Sequence, residues 1–148
     1  MAKKGGGPNA PVNNLANNGV YVLMDEITMQ SCADCLKWIM NQNLAETRLP
    51  QLTIIINSPG GDVHAAFALI DTMKASTIPI KTVGLGLIAS CGFLIFIAGK
   101  KGSRILTPNT SILSHQYSWG SAGKEHELYA RVKEFELSTQ RMIEHYKK

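Results

Sequence analysis

Apolar positions along this chain change their period several times, and each change marks a predicted element. Residues 20–24 form a short apolar run of strand length. Asp25-Glu26-Ile27-Thr28 then opens a helix, with Thr28 as its cap, running to about Asn43; Ile27, Cys35, Ile39 and Met40 are its apolar positions. After Pro50, residues 52–56 are a β-branched run, the pattern of a buried strand. Pro59-Gly60-Gly61 turns that strand into a helix over 62–75, with Val63, Phe67, Ile70 and Met73 as its apolar residues. Pro79 separates this helix from a strand over 80–87. Ser90 begins the next helix, through about Ala98, and 99–102 is a turn. Short strands over 104–106 and 112–115 flank the Pro108-Asn109 turn. Beyond a loop containing Gly120 and Gly123, a long helix covers 125–146. Its apolar stripe is Leu128, Val132, Phe135, Thr139, Met142 and Tyr146, at intervals of three and four. That stripe either packs back on the domain or meets another subunit, and periodicity favours neither.

Strands alternating with helices in this order predict an α/β fold of repeated βαβ units around a mostly parallel sheet. Residues 1–18, rich in Gly, Asn and Pro, are expected to be a flexible arm, and 19–148 a single domain. The composition fits one core-forming domain: 148 residues, 45% hydrophobic and 18% charged. A net charge of +4 from scattered lysines and arginines argues against nucleic acid as a partner.

Three cysteines do not make a disulfide framework. Cys32-Ala33-Asp34-Cys35 lies within a helix, not at the start of one, and has no second pair for zinc, so buried thiols in a reducing, cytoplasmic setting are expected. Met1-Ala2-Lys3-Lys4 is followed by glycines, unlike a secretory leader. Residues 82–99 carry no charge, but Gly84, Gly86, Ser90 and Gly92 break them into strand, sharp turn and helix, so no membrane span is expected. No cofactor or metal is expected.

The candidate chemistry lies at three points. Ser90 follows an apolar strand and precedes Cys91-Gly92 at a helix start. A serine there is commonly only an N-cap. A sharp turn after a strand also projects its hydroxyl outward, beside the positive end of the helix dipole. The motif is not G-x-S-x-G, because Ile88 occupies the first position. The N–H of Cys91 would point where an oxyanion forms. Gly60-Gly61 allows close backbone approach, with the Gly61 N–H as second donor, and one such donor contributes roughly 2.7–4 kcal/mol in a transition state. His115 ends a strand in the same presumed sheet and is placed to take the Ser90 proton. His64, His126 and His145 lie on helices without a serine nearby and are read as structural or exposed.

Asn57-Ser58-Pro59-Gly60-Gly61, Ala89-Ser90-Cys91-Gly92 and His115-Gln116 stand in the order and approximate spacing of the Clp protease proteolytic subunit, and Leu106-Thr107-Pro108-Asn109-Thr110 is similar as well. The chain resembles that family from about Val20 to Tyr146. The resemblance implies a crotonase-like α/β fold and a serine endopeptidase that degrades unfolded polypeptide. Its subunits form stacked rings, served by an AAA+ unfoldase. Ser90 would be the nucleophile, His115 the base, and the Gly61 and Cys91 N–H groups the oxyanion hole. Gln116, Tyr117, Ser118, Trp119 and Gly120 would bind substrate, and the helix over 125–146 would be the protruding handle that joins rings.

Three departures qualify this. The family's triad aspartate lies beyond the handle helix, so a weakly active or inactive subunit is expected; Glu125, Glu127 and Glu134 should point away from the site. The N-terminal arm does not look like the family's axial loops. Tyr117 stands where the family usually has proline. Two alternatives follow: a structural pseudo-subunit, and a phage-type capsid-maturation protease sharing this fold. The same Ser-Pro-Gly-Gly turn also occurs in signal-peptide peptidases with a lysine base, and crotonase enzymes use the fold on acyl-CoA thioesters, but Ser90 with His115 argues for peptide hydrolysis.

Overall fold

A computed structural model describes residues 14–114 and 122–147. A 3-10 turn at Leu15–Asn18 leads into β1 (Val20–Met24), α1 (Met29–Leu44), β2 (Leu52–Ser58) and α2 (Val63–Ala75). These are followed by β3 (Ile80–Ala89), α3 (Cys91–Ile97), β4 (Arg104–Leu106), β5 (Ser111–Leu113) and α4 (Glu125–Lys147). The expected alternation of strand and helix is present, and so is the long C-terminal helix.

All strand pairings are parallel, in the order β1-β2-β3-β4, with β5 also beside β3. The length of β3 lets it carry both short edge strands: Thr82–Gly84 pairs with β4, and Leu87–Ala89 with β5. Between them the Gly84 carbonyl accepts from the Thr107 N–H at 3.2 Å and the Thr110 hydroxyl at 2.7 Å, which pins the Pro108-Asn109 turn to the sheet. Parallel strands all end on one side, so Met24, Ser58, Ala89 and Leu113 finish along a single edge.

Burial alternates along β2: Leu52, Ile54, Ile56 and Ser58 are buried, while Thr53, Ile55 and Asn57 are half-buried. The buried side meets α1 and α2 through Cys35, Ile39, Val63, Leu69 and Ile70. The start of α1 is fixed by a capping box, in which the Thr28 hydroxyl accepts from the Ser31 N–H and the Ser31 hydroxyl accepts from the Thr28 N–H. Its inward stripe is Cys32, Cys35, Trp38 and Ile39. Met40, one of the apolar positions of this period, is 52% exposed. Trp38 turns inward within that stripe, donating its indole N–H to the Ala16 carbonyl at 3.0 Å.

The two halves of α4 behave differently. Its second half docks: Met142 packs against the core, and the Tyr146 ring lies 5.8 Å from that of Phe93 on α3. Its first half is largely exposed, with Tyr129 at 65%. Glu134 lies toward α2, with its carboxylate 3.9 Å from His64 Nδ1 and 3.6 Å from Arg141 of its own helix. Among the described residues no helix is long and apolar enough to cross a membrane.

Candidate active site

Ser90 lies at the end of β3, where the chain turns into α3. Its backbone has φ 51° and ψ −121°, and it is the only non-glycine residue with positive φ among those described. Such a conformation costs about 1–3 kcal/mol and persists only when its surroundings enforce it. They do so here from three sides. The Ser90 N–H donates to the Leu113 carbonyl at 2.9 Å, and its carbonyl accepts from the Phe93 and Leu94 N–H groups at 3.0 and 3.3 Å. On the third side is Gly60, where an added Cβ would stand 2.8 Å from Ser90 Cβ. Ser90 occupies the N-cap position yet makes no side-chain cap bond, so its hydroxyl is not used up by the helix.

The Gly60-Gly61 turn is built around Ile27. Ile27 N–H donates to Gly60 O at 2.8 Å, and Asp62 N–H donates to Ile27 O at 2.7 Å. Gly61 has φ +149°, and a Cβ there would lie 2.2 Å from the Ile27 carbonyl oxygen. Among the described residues, neither the Gly61 N–H nor the Cys91 N–H donates to a backbone carbonyl. These are the two amides an oxyanion would need. Asp62 caps α2 through bonds to the His64 and Ala65 N–H groups, so the turn runs directly into a helix.

Ser58, which the sequence reading passed over, is part of this assembly. It is fully buried, and its hydroxyl accepts from the Gly60 N–H at 3.1 Å. It also faces Gly92, where an added Cβ would meet Ser58 Cβ at 3.1 Å, so α3 can sit close to β2 only with glycine there. The signal was available: Ser58 continues the buried phase of Leu52, Ile54 and Ile56, and a polar residue in that phase must bond to something.

Cys91 is buried, and burial pushes its thiol above the ordinary value. Burial also pushes Cys32 up to about 11 and raises Cys35 further. A pair of thiols held protonated in this way lacks the thiolate character of a redox C-x-x-C.

The structure therefore brings Ser90, Gly61 and Cys91 together. His115, Gln116, Tyr117, Ser118, Trp119 and Gly120 lie outside the described residues. The strand that leads to His115 is described: β5 pairs Leu113 with Ala89, the residue before Ser90.

A family model for Clp protease matches residues 5–148. The chain belongs to the Clp protease family. It is 37% identical over 120 residues to an ATP-dependent Clp protease proteolytic subunit 1 of Corynebacterium jeikeium, covering 81% of this chain and 61% of that protein. It is 34% identical over 124 residues to the subunit 1 of Chlamydia caviae, covering 82% of this chain and 64% of that protein. A solved mutant of ClpP1 from Listeria monocytogenes superposes with a TM-score of 0.75 at 28% identity, over 89% of this chain and 72% of that one. The chain spans about three fifths of the length of these curated relatives. The Clp protease fold accounts for the α/β architecture, the parallel sheet and the C-terminal helix together.

Proposed function

We propose that this chain is a Clp-type serine endopeptidase subunit acting on unfolded polypeptide. The observation that carries the reading is the strained Ser90 turn at the C-terminal edge of a parallel sheet, with the Gly61 and Cys91 residues gathered beside it. In this reading Ser90 Oγ attacks the scissile carbonyl carbon and His115 takes the hydroxyl proton. The carbonyl oxygen becomes an oxyanion held by the Gly61 and Cys91 N–H groups. His115 then protonates the leaving amine, and water, deprotonated by His115, releases the acyl group from Ser90. The 116–120 segment would hold the substrate strand. No step calls for a metal or cofactor.

The assembly is read as a homo-oligomer of stacked rings fed by an AAA+ unfoldase. Free, buried Cys32, Cys35 and Cys91 support a reducing cytoplasmic setting. A second reading, a structural subunit without turnover, is favoured by the exposed apolar residues of α4, Tyr129, Val132 and Leu137, which suit assembly rather than chemistry.

Fluorophosphonate labelling read by intact mass separates the two. The parent is expected to gain one adduct, and Ser90→Ala none. A folded parent that takes no adduct, or a Ser90→Ala variant that labels equally, would sink the peptidase reading. Turnover is a separate quantity: a serine protease that keeps its geometry but loses the carboxylate orienting its histidine slows about 10⁴-fold.

A further inference from the structure

The turn that carries Gly61 is tied down at almost every polar backbone group. Gly60 N–H is bonded to the Ser58 hydroxyl, Gly60 O to the Ile27 N–H, and Asp62 N–H to Ile27 O. The Gly61 carbonyl is taken by the Cys91 thiol, with Sγ 3.5 Å from the oxygen. The Gly61 N–H is the one backbone donor of the turn that bonds to no oxygen among the described residues. The Cys91 side chain is buried and also lies beside the nucleophile, with Sγ 4.0 Å from Ser90 Oγ.

We propose that Cys91 is a positioning residue whose thiol, by donating to the Gly61 carbonyl, fixes the Gly61 peptide so that its N–H and the N–H of Cys91 face one point. The proposal rests on the serine-peptidase reading and adds to it a role for a side chain, where that reading used only the Cys91 backbone. The chemistry suits the task. Burial keeps the group as S–H, a donor, through neutral pH, whereas a thiolate would repel the carbonyl oxygen. The contact ties α3 to the α2 turn across the nucleophile, so the two oxyanion donors cannot drift apart independently.

The test compares the full chain with Cys91→Ala, which removes the donor, and Cys91→Ser, which keeps a hydroxyl donor at shorter reach. Two readouts are taken: amide hydrogen exchange at Gly61 and Asp62, and the rate of fluorophosphonate labelling at Ser90. A buried hydrogen bond of this kind corresponds to about a 3- to 10-fold effect. Cys91→Ala should therefore speed exchange at those two amides, and slow labelling, by about that factor. Cys91→Ser should recover most of both. Exchange and labelling in Cys91→Ala equal to the parent would overturn the proposal. So would a serine variant as impaired as the alanine one, since that pattern reports packing volume, not a donor. A parent that does not label at all would remove the peptidase reading and the catalytic role of Cys91 with it; exchange at Gly61 would still report whether the thiol holds the turn.

Discussion

At Ser90 the backbone departs from what the residue would adopt alone, and its neighbours, Gly60 among them, enforce it; at Gly60 and Gly61 the backbone takes conformations that only glycine adopts readily. Gly61 is the sharpest case. An alanine there needs a left-handed backbone and a Cβ 2.2 Å from a carbonyl oxygen. Gly61→Ala is expected to cost at least about 1–3 kcal/mol, read from urea unfolding, and to abolish labelling at Ser90. The buried thiols predict a pH dependence. Cys32 is raised from 9.0 to about 11, so between those values the unfolded chain has lost the proton that the folded chain keeps. Stability is thus complete below pH 9 and falls as pH rises toward about 11, with Cys35 and Cys91 acting in the same direction. Urea midpoints flat across pH 7–8 and declining above pH 9 would bear this out. The sequence made Ser90, Gly61 and Cys91 visible because their motifs are local. The role of Ser58 was hidden because its partners, Gly60 and Gly92, are set by how β2 and α3 meet.

The element boundaries read from the sequence agree with the structure to within a residue or two wherever a local signal fixed them. Thr28 before an apolar period, Asp62 after Gly-Gly, and Pro50 and Pro79 before β-branched runs are such signals. Thr28→Ala removes half of a capping box and should cost about 1 kcal/mol in thermal or urea unfolding while leaving Ser90 labelling intact. Inward faces were less legible. Met40 fits the apolar period of α1, but the buried stripe runs through Trp38, held by the Ala16 carbonyl, and leaves Met40 exposed. In α4 one apolar stripe serves two purposes. The half containing Met142 and Tyr146 grips α3, while Val132 in the other half is 39% exposed.

For the whole molecule, the informative quantity is what the fold leaves uncovered. Parallel sheets are ordinarily covered on both faces. Here α1 and α2 cover one, while on the other, among the described residues, Val22, Met24 and Ile105 are 44–68% exposed. Together with the open half of α4, this apolar surface fits a subunit that completes its burial in an assembly. Val132→Asp combined with Leu137→Asp should shift the protein to smaller species in light-scattering chromatography without loss of helicity; an unchanged mass would exclude this part of α4 as a contact. The sequence by itself determined the α/β class, the order of the elements and which residues are candidates for acyl-transfer chemistry, because periodicity, caps, turns and motifs are written within a few neighbouring positions. Only the tertiary structure decided that Ser90 is strained, that the Ser58 hydroxyl and the Cys91 thiol contact the Gly60-Gly61 turn, and that, among the described residues, apolar side chains such as Val22 and Met24 stay exposed. Each of these depends on distances between segments far apart in the chain, which no local pattern encodes.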